Sequence, residues 1–475
     1  MDSTDIAIIG AGAAGLSVAA ISAALGLRVV LVERGPMGGD CLNFGCVPSK
    51  ALLAAAHAAQ SARGAGRFGI RTGDVSVDWA AVQAHVRGVI AAIAPNDSAE
   101  RFRAMGVDVI RASAHFVAPD EIEAGTRRIR FRRCVIAAGS SAIVPKLPGL
   151  SGLPFLTNES LFDLKDAPAH LLILGGGPIG IEMAQAHARL GCAVTLIEAA
   201  PSIASREDRE AVDALRRVLR RDGVTIIEGA AAIAAEAAPE GIALRLADGT
   251  RIAGSHLLLA LGRAPRLASL DLVAGGIEAT AQGIATGADL RSPSNRRIWA
   301  AGDIADPAGI GPRAFTHVAS QHASVIVKSM LFRLPTGLSY AALPRVTYCD
   351  PELAQIGLTE VEARAAGTCA ETVRWPLAEN DRAVAEGVEA GIVKLVLDRK
   401  ARLLGATVLA PGAGDWAGMF GLMIDRRLPL SALAGLVVPY PTLPEAAKRA
   451  AGQYYTPKLL KPLVKAAVRW LMRLP

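Results

Sequence analysis

Residues 5–33 read DIAIIGAGAAGLSVAAISAALGLRVVLVE, and this stretch decides the fold. A short apolar strand runs into Gly10, Gly12 and Gly15, an alanine-rich helix follows, and a second strand ends at Glu33. Gly10 permits a tight turn, Gly12 lets backbone N–H groups approach a pyrophosphate at the helix N-terminus, and Gly15 allows close helix-on-strand packing. Glu33 stands where an acid would accept hydrogen bonds from a ribose. The stretch therefore predicts a dinucleotide-binding βαβ unit.

The same pattern recurs at residues 170–198, HLLILGGGPIGIEMAQAHARLGCAVTLIE. Its three glycine positions are Gly175, Gly177 and Gly180. Two such units indicate two bound dinucleotides or two copies of one domain. Glu198 ends the second strand and opposes a 2′-phosphate by charge, which favours NAD over NADP, although Arg206 nearby weakens that preference. The run LLLALGRAPR (257–266) is interpreted as one buried strand that closes this second domain.

Length and composition limit the remaining possibilities. A chain of 475 residues predicts two to four domains, and 51% hydrophobic with 4% aromatic residues suits packed α/β layers rather than disorder. The net charge of +7 is modest and the basic residues lack interleaved aromatics, so nucleic-acid binding is not expected. The N-terminus lacks a basic secretory region and no apolar run is long enough for a membrane span, so a cytoplasmic protein is expected.

The segment GGDCLNFGCVPSK (38–50) raises a question, because its two cysteines could be metal ligands, a structural staple or a redox pair. No second Cys pair or His pair stands at zinc-ligand spacing, so no metal site is expected. On an ideal helix Cys41 and Cys46 would have Cα atoms about 8–9 Å apart, beyond the roughly 7 Å limit of a disulfide. Gly45 and Pro48 could distort the helix. A bridge closing so small a loop adds little stability, so a redox role fits better.

Two further stretches are informative. The run NRRIWAAGDIAD (295–306) is a strand leading into Asp303, whose carboxylate could accept hydrogen bonds from a polyol chain such as ribitol. The run RRCVIAAGSSAIVPKLPG (132–149) ends a strand in Ala-Gly-Ser and continues into a proline-rich crossover, which is typical of a domain boundary.

Over residues 5–455 the chain resembles the flavin-dependent pyridine nucleotide–disulfide oxidoreductases, the family of dihydrolipoamide dehydrogenase, glutathione reductase and mercuric reductase. The resemblance rests on the two nucleotide fingerprints, the cysteine segment, the AAGD motif and YCDPELAQIGLTEVEA (348–363). It implies an α/β fold with two Rossmann-like dinucleotide-binding domains and a C-terminal α+β dimerisation domain. The implied divisions are an FAD domain (1–148 and 269–338), an NAD(P) domain (149–268), a dimerisation domain (339–455) and a tail (456–475).

The resemblance also implies a reaction path. NAD(P)H would reduce FAD, and the flavin would reduce a Cys41–Cys46 disulfide. Cys46 would be the charge-transfer thiolate beside the flavin, and Cys41 the interchange thiol that attacks the acceptor. Lys50 would lie near flavin N5, with Glu182 of the second domain as its partner. The acceptor would be a small disulfide, a thiol or a metal ion, and the enzyme would be a homodimer.

Cofactor-binding residues are carried over from the same resemblance. Those expected at FAD are Gly10, Gly12, Ala14, Gly15, Glu33, Arg34, Gly39, Lys50, Ala114, Ala138, Gly139, Asp303 and Thr316. Those expected at NAD(P) are Gly175, Gly177, Gly180, Glu198 and Gly262. NADH is the favoured donor.

The chain departs from the family pattern in VVPYPTLPEAAKRAA (437–451), where most disulfide-reducing relatives carry His-Pro-Thr followed by Glu. Glu445 matches, but Tyr440 replaces the His that acts as general base. A Tyr is a poor base near neutral pH, although it can donate a hydrogen bond or meet a metal. Mercuric reductase is expected to share this Tyr, yet the sequence has neither a C-terminal vicinal Cys pair nor an N-terminal Cys-x-x-Cys motif. His317 and His322 are weak substitutes for the base.

The alternatives are a dihydrolipoamide dehydrogenase, which the missing His disfavours, and a membrane-associated flavoprotein redox module with slow turnover. The second is motivated by the tail, TPKLLKPLVKAAVRWLMRLP (456–475). If it is helical from Pro462, its basic residues form one stripe opposite Leu, Val, Trp and Met. The tail is then either an interfacial membrane helix, with the protein peripheral at the membrane, or a helix docked on the dimer. The remaining cysteines, Cys134, Cys192, Cys349 and Cys369, are expected to be isolated.

Overall fold

The computed structural model describes residues 2–388 and 390–475. The strands, in chain order, are β1 (Asp2–Ile9), β2 (Val29–Val32), β3 (Asp108–Ile110), β4 (Ala114–Ala118), β5 (Glu121–Ala124), β6 (Arg127–Ile136), β7 (Ser140–Ala142), β8 (His170–Leu174), β9 (Ala193–Glu198), β10 (Val224–Glu228), β11 (Ala232–Ala238), β12 (Gly241–Leu246), β13 (Arg251–Gly254), β14 (His256–Leu259), β15 (Arg263–Pro265), β16 (Ala279–Thr280), β17 (Gly283–Thr286), β18 (Ile298–Ala300), β19 (Ala305–Pro307), β20 (Pro344–Thr347), β21 (Glu352–Gly357), β22 (Glu371–Pro376), β23 (Ile392–Leu397) and β24 (Leu403–Ala410).

The α-helices are α1 (Ala13–Ala24), α2 (Gly39–Asn43), α3 (Cys46–Gly64), α4 (Trp79–Ile93), α5 (Ala99–Ala104), α6 (Pro178–Arg189), α7 (Arg209–Arg221), α8 (Thr316–Ile326), α9 (Glu360–Ala365), α10 (Asp381–Glu386), α11 (Ala413–Asp425), α12 (Leu430–Ala434), α13 (Glu445–Leu459) and α14 (Pro462–Leu471). A π-helical turn, Val327–Leu331, continues α8. Short 3₁₀ turns are Ala65–Phe68, Ala94–Asp97, Leu150–Gly152, Leu161–Asp163, Gly302–Ile304 and Leu377–Glu379.

The chain divides into two compact units. The first contains the described residues up to Gly175, residues 190–192 and residues 232–339; the second contains residues 176–189, 193–231 and the described residues from Tyr340 onwards. The domain boundaries inferred from the sequence follow a finer division, and they stay a prediction.

The first unit is built on a sheet of order β3-β2-β1-β6-β5-β4, with β18 also paired to β6. Strand β1 is parallel to β2 and to β6, and Ile9 pairs with both Val32 and Ile136. Because the carboxyl ends of parallel strands meet at one sheet edge, the turn after β1, the end of β2 and the end of β6 lie together. Residues 6–9 and 29–32 are buried throughout, as expected for parallel strands covered on both faces. The βαβ unit predicted at residues 5–33 is therefore present.

One predicted strand is wrong in its length. The run 257–266 forms two strands rather than one, because β14 ends at Leu259 and β15 begins at Arg263. Gly262 between them has a φ of +105°, a left-handed conformation that interrupts an extended strand. Strand β14 pairs in parallel with β8, whereas β15 pairs antiparallel with β7.

The second unit contains an antiparallel sheet of order β20-β21-β24-β23-β22 and a parallel pair, β9 with β10. Its core joins the inner face of this sheet to α11 and α13, through residues that include Phe420, Trp416 and Ala450. Strands β21 and β24 pair antiparallel without a bulge. The pairing begins with Glu352 opposite Ala410 and ends with Gly357 opposite Gly405. The segment that contains Tyr440 lies directly before α13.

Candidate active site

The cysteine segment is two helices rather than one distorted helix. Cys41 lies in α2, Cys46 is the first residue of α3, and the chain turns at Phe44 and Gly45. Gly45 has φ −131° and ψ −109°, outside the helical and extended regions, so a glycine suits this turn. Pro48 falls in the first turn of α3, where backbone N–H groups have no intrahelical acceptor and a proline loses nothing. The bend expected from Gly45 is present, while Pro48 lies in the first turn of α3 instead of interrupting a helix.

Cys41 and Cys46 are free thiols in this structure. The hydrogen bond that Cys41 donates lowers the pKa of Cys46 to about 6, and this outweighs burial, which acts in the opposite direction. The same hydrogen bond, together with burial, raises the pKa of Cys41 far above its usual value. The pair therefore holds one shared proton near neutral pH, with the negative charge on Cys46.

Thr316 and Lys50 also stabilise the Cys46 thiolate. The Thr316 hydroxyl lies 3.3 Å from the Cys46 sulfur, and both it and the Lys50 ammonium contribute to lowering the pKa of Cys46. Lys50 stands four residues after Cys46 on α3, so the two side chains share one helix face. Cys46 and Thr316 are the first residues of α3 and α8, and helix N-termini favour negative charge.

Replacing Thr316 by Val should raise the pKa of Cys46, because the isosteric side chain cannot donate to the thiolate. A hydrogen bond to a charged group is worth about 1.5 kcal/mol, so the expected rise is about one pH unit. Ultraviolet absorbance of the thiolate, followed by pH titration of the reduced protein, measures it. Ser324→Ala, on the same helix, is the matched control. An unchanged midpoint in Thr316→Val would contradict the assigned contact.

A polar network in the first unit fixes α2 beside this pair. Arg263 contacts the Asp40 carboxylate at 2.9 Å and the Ser140 hydroxyl at 2.7 Å, and Ser140 donates to Asp303 at 2.5 Å. Asn158, which is buried, donates to Asp40 at 3.0 Å and to the carbonyl of Phe44 at 3.1 Å. The Phe44 carbonyl is the acceptor that Pro48 cannot serve, so Asn158 satisfies it.

The glycine-rich turn after β1 leaves room for a phosphate. A Cβ on Gly10 would lie 2.3 Å from the carbonyl oxygen of Ala137, and one on Gly15 would lie 1.9 Å from that of Gly10. These two glycines are therefore required by the protein itself. Gly12, the N-cap of α1, has no such neighbour, since its Cβ would come no closer than 4.0 Å to Gly39. A glycine that the protein does not need, at a helix N-terminus, fits close approach by the pyrophosphate of FAD.

The other residues expected at FAD also lie in the first unit. The Glu33 carboxylate accepts from the backbone N–H of Ala11 at 2.6 Å and of Gly35 at 2.7 Å, so it also holds the turn. Asp303 lies in the 3₁₀ turn after β18, and burial raises the pKa of its carboxyl. The remaining positions are Ala14 in α1, Arg34 exposed after β2, Gly39 in α2, Ala114 in β4, and Ala138 and Gly139 between β6 and β7. The donors and acceptors present fit FAD.

The residues expected at NAD(P) fall in both units. In the first unit, Gly175 has φ +113° and its Cβ would lie 2.4 Å from the carbonyl oxygen of Ala260, as at Gly10. Gly262 forms the turn between β14 and β15. In the second unit, Gly177 has open space where a Cβ would stand, and Gly180 is buried in α6. The Glu198 carboxylate accepts from the N–H groups of Gly176 and Ala200, repeating the arrangement of Glu33.

Tyr440 in the second unit forms a pair that the sequence did not indicate. Its hydroxyl donates to the Asp381 carboxylate at 2.7 Å, and this contact raises the pKa of Tyr440. The ring is 66% exposed. Glu445 is bonded instead by Arg449 at 2.9 Å. Tyr440 is therefore a hydrogen-bonded neutral phenol and not a base. Glu182, also in the second unit, accepts from the backbone N–H of Tyr348 at 2.9 Å.

The two histidines weighed as bases have other contacts. His322 is fully buried, accepts from the N–H of Gly302 at 3.0 Å, and has its pKa lowered to about 4 by burial. The His317 ring stacks on Phe315 with centroids 5.1 Å apart.

The remaining cysteines lie apart from the Cys41–Cys46 pair. Cys134, Cys192 and Cys349 are buried, and burial raises the pKa of each; Cys369 is half-buried. Among residues 2–388 and 390–475, no group of three or more His, Cys, Asp or Glu side chains could hold a metal ion.

Comparison with known proteins identifies the family. The profile of the pyridine nucleotide-disulphide oxidoreductases matches residues 4–323, and that of their dimerisation domain matches residues 343–451. The chain belongs to the pyridine nucleotide–disulphide oxidoreductase family. The predicted family is thus confirmed, and so is the α/β fold with FAD- and NAD-binding domains and a C-terminal dimerisation domain.

This oxidoreductase aligns with its relatives over almost its whole length. It is 35% identical over 467 residues to a mercuric reductase of Streptomyces lividans, covering 96% of this chain and 97% of the relative. It is 31% identical to a dihydrolipoyl dehydrogenase of Geobacillus stearothermophilus, covering 94% and 95% respectively. The solved Cu(II) complex of the HOCl-induced flavoprotein disulfide reductase RclA from Escherichia coli is similar, with a TM-score of 0.85, 28% identity, and coverage of 96% and 100%. The family implies FAD and NAD(P)H as cofactors.

Proposed function

We propose that this flavoprotein passes electrons from NAD(P)H through FAD to the Cys41–Cys46 pair, and from there to a disulfide or a soft metal ion. The observation that carries the proposal is the placement of the Cys46 sulfur at the first residue of α3, 3.3 Å from the Thr316 hydroxyl, with Cys41 and Lys50 as neighbours that lower its pKa. A thiolate beside Lys50 and two helix N-termini is the arrangement of a reactive cysteine, whereas buried structural cysteines are inert.

When bound, FAD would supply the two-electron relay between the nicotinamide and the disulfide. The N-terminus of α1 at Gly12 would hold its pyrophosphate, Gly10 and Gly15 would shape the turn around it, and Asp303 and Glu33 would bind its hydroxyl groups. The Lys50 ammonium would stabilise negative charge beside Cys46. Arg263 and Asn158 would keep α2 in position through Asp40 and the Phe44 carbonyl.

With a disulfide acceptor, the residues of the pair exchange sulfur bonds. The Cys41 sulfur attacks one acceptor sulfur, the acceptor S–S bond breaks, and the leaving thiolate takes the proton that Cys41 gives up. The Cys46 thiolate then attacks the Cys41 sulfur and displaces the second half of the acceptor as a thiolate. The Cys41–Cys46 disulfide is re-formed, and two electrons have passed to the acceptor.

Of the proposed acceptors, a soft metal ion is the one best suited to a site that has no histidine base. Thiolates are the preferred ligands of soft metals, and metal binding itself releases the thiol protons, so no general base is required. The names of two similar proteins, a mercuric reductase and a Cu(II) complex of a disulfide reductase, are in accord with this choice. A dihydrolipoamide dehydrogenase reaction is the second candidate, and it would need a base where Tyr440 stands.

Purified enzyme with NADH or NADPH should therefore reduce Hg²⁺, Cu²⁺ or a small disulfide faster than it reduces oxygen. NADH should give the higher kcat/KM, because the Glu198 carboxylate opposes a 2′-phosphate. Reduction of none of these acceptors above the oxygen rate would contradict the proposed function. A higher kcat/KM with NADPH would contradict only the cofactor preference.

Tyr440→His should raise the rate of dihydrolipoamide oxidation, because an imidazole can take a thiol proton near neutral pH. General base catalysis contributes at least about 100-fold, so a gain approaching that size is expected if only the base is lacking. Tyr440→Phe is the matched control, since it removes the hydrogen bond to Asp381 without adding a base. No gain in Tyr440→His over Tyr440→Phe would show that more than the base separates this chain from that reaction.

A homodimer is the proposed assembly, since the dimerisation-domain profile matches residues 343–451. Around Tyr440, the single chain exposes apolar surface that a second copy would cover, including Val437, which is 92% exposed. In that assembly, Tyr440 would serve the cysteine pair of the partner subunit.

The tail is proposed as a contact with anionic membrane surfaces. Helix α14 begins at Pro462, as predicted, and its apolar residues are exposed, with Leu463 at 85% and Met472 at 80%. The basic residues Lys461, Lys465, Arg469 and Arg473 fall on one stripe, and no acidic residue follows Glu445. Of the described residues, none lie in a helix that is both long and apolar enough to cross a bilayer.

Deleting residues 461–475 should abolish sedimentation with phosphatidylglycerol vesicles and leave NADH-dependent turnover unchanged. The full-length variant Lys465→Glu/Arg469→Glu should lose most binding too, because each basic residue near an anionic surface contributes about 1 kcal/mol. Equal sedimentation of all forms would reject the membrane contact. A shift from dimer to monomer on deletion would instead assign the tail to the dimer.

A further inference from the structure

A cavity of about 520 Å³ in the first unit has no part in the reaction described above. It is lined by residues of β6 and β18, by the segment before β18, and by the turn that follows α8. None of the lining residues belongs to the cysteine segment, to the glycine-rich turns or to the Arg263 network. Its volume lies within the range of small-molecule sites, roughly 300–1,000 Å³.

The lining is strongly cationic. Arg133, Arg291 and Arg333 face the cavity, and the carboxylate of Asp289 is the acidic group among its lining residues. Burial and neighbouring arginines lower the pKa of Arg133 and of Arg291. Within the part of the chain that the structure describes, no salt bridge is formed by these three guanidinium groups. Three guanidinium charges that share one carboxylate of the lining, that of Asp289, leave an excess of positive charge that a bound anion would offset.

Several contacts hold these arginines in place. The Arg291 guanidinium lies over the Trp299 ring, 5.0 Å from its centre, and its Nε donates to the carbonyl of Arg296 at 2.7 Å. The Trp299 indole N–H donates to the Ser329 hydroxyl at 3.1 Å, which fixes the π-helical turn beneath the cavity. Stacked and hydrogen-bonded in this way, Arg291 is pre-organised for a ligand.

Arg333 occupies a backbone conformation that favours glycine. Its φ is +54°, and the N–H of Leu334 donates to the carbonyl of Lys328 at 3.0 Å, which closes the helix end. Glycine is the usual residue at this place in a helix end. The chain instead keeps an arginine there, and its side chain lines the cavity. A strained position that carries a charged group is consistent with a binding role.

We propose that this cavity binds a small molecule through a multiply charged oxyanion, of the class of phosphate and polyphosphate groups. Planar guanidinium groups bond two oxygens of such a group at once, and three of them converge on one cavity of suitable size. The Thr336 hydroxyl group at the lining adds a neutral donor for a remaining oxygen. The site is distinct from both dinucleotide sites and does not depend on the identity of the acceptor.

The test uses FAD-loaded enzyme, saturated with NAD⁺ so that the nucleotide sites are occupied, and inorganic tripolyphosphate as the probe. Calorimetry at constant ionic strength should show saturable binding, with orthophosphate weaker than tripolyphosphate. Arg133→Gln and Arg333→Gln should each weaken it about tenfold or more, since each removes charge-assisted hydrogen bonds. The control variant Arg209→Gln/Arg217→Gln/Arg220→Gln removes three exposed charges from α7 and should bind as wild type.

Two results would overturn the proposal. One is unchanged affinity in Arg133→Gln and Arg333→Gln, both of which should retain FAD and NADH-dependent turnover as evidence of folding. The other is an equal loss of affinity in the α7 control, which would assign binding to net charge. Absence of saturable binding to the wild-type enzyme would also reject an oxyanion site.

Discussion

Cys46→Ser is expected to lose NAD(P)H-driven reduction of disulfides and soft metal ions by about 10³-fold or more in kcat/KM. The serine hydroxyl cannot serve as a thiolate near neutral pH, so the relay from flavin to Cys41 has no sulfur to pass through. Flavin reduction by NAD(P)H should persist, because the nucleotide sites are untouched. Stopped-flow measurement of the flavin and steady-state acceptor assays separate the two steps.

Cys369→Ser is the matched control for this loss, because Cys369 is a half-buried cysteine outside the pair. It should retain wild-type turnover. If Cys46→Ser kept acceptor reduction at the wild-type rate, electrons would pass directly from flavin to acceptor, and the cysteine pair would have no catalytic role.

Gly12→Ala is expected to weaken FAD binding about 100-fold while the fold is kept, because a methyl group would displace the pyrophosphate from its charge-assisted hydrogen bonds. The φ of −86° at Gly12 suits any residue, and the protein leaves 4.0 Å of space around the new Cβ. Calorimetric titration of the FAD-free variant with FAD measures the change. Circular dichroism checks that the fold is intact.

Gly88→Ala, within α4, is the control, because its Cβ also meets no neighbour and no ligand is expected there. Gly15→Ala should behave differently from both, since its Cβ would overlap the carbonyl of Gly10 and disturb the βαβ unit itself. Normal FAD affinity in Gly12→Ala would move the proposed pyrophosphate site away from the N-terminus of α1.

Local patterns in the sequence were sufficient for the parts of the fold that local chemistry determines. Glycine spacing between two apolar strands predicted the βαβ unit, and Gly45 predicted the bend between Cys41 and Cys46. The break within the run 257–266 could also have been predicted, because a glycine such as Gly262 is disfavoured in the middle of a continuous strand. The error came from weighing the apolar character of the run above that glycine.

Contacts between residues distant in sequence could not be predicted in this way. Thr316 and Cys46 are 270 positions apart, and Asn158 is 114 positions from the carbonyl that it satisfies. No periodic pattern in the sequence indicates either contact, because each is formed by tertiary packing. The Tyr440–Asp381 pair and the arginine-lined cavity are of the same kind. The resemblance placed Thr316 near the flavin, yet its contact with the Cys46 sulfur emerged only from the structure.

The most direct test of the account is an anaerobic titration of the FAD-loaded enzyme with NADH, recorded as visible spectra at several pH values. A thiolate on Cys46 beside the flavin predicts a broad long-wavelength absorbance after the first equivalent. That band should fade as the pH falls through about 6, because protonation removes the thiolate, whose folded-state pKa lies there. The band should be absent in Cys46→Ser. A wild-type enzyme that shows no such band at any pH, with its flavin fully reduced by the first equivalent, would contradict the central claim.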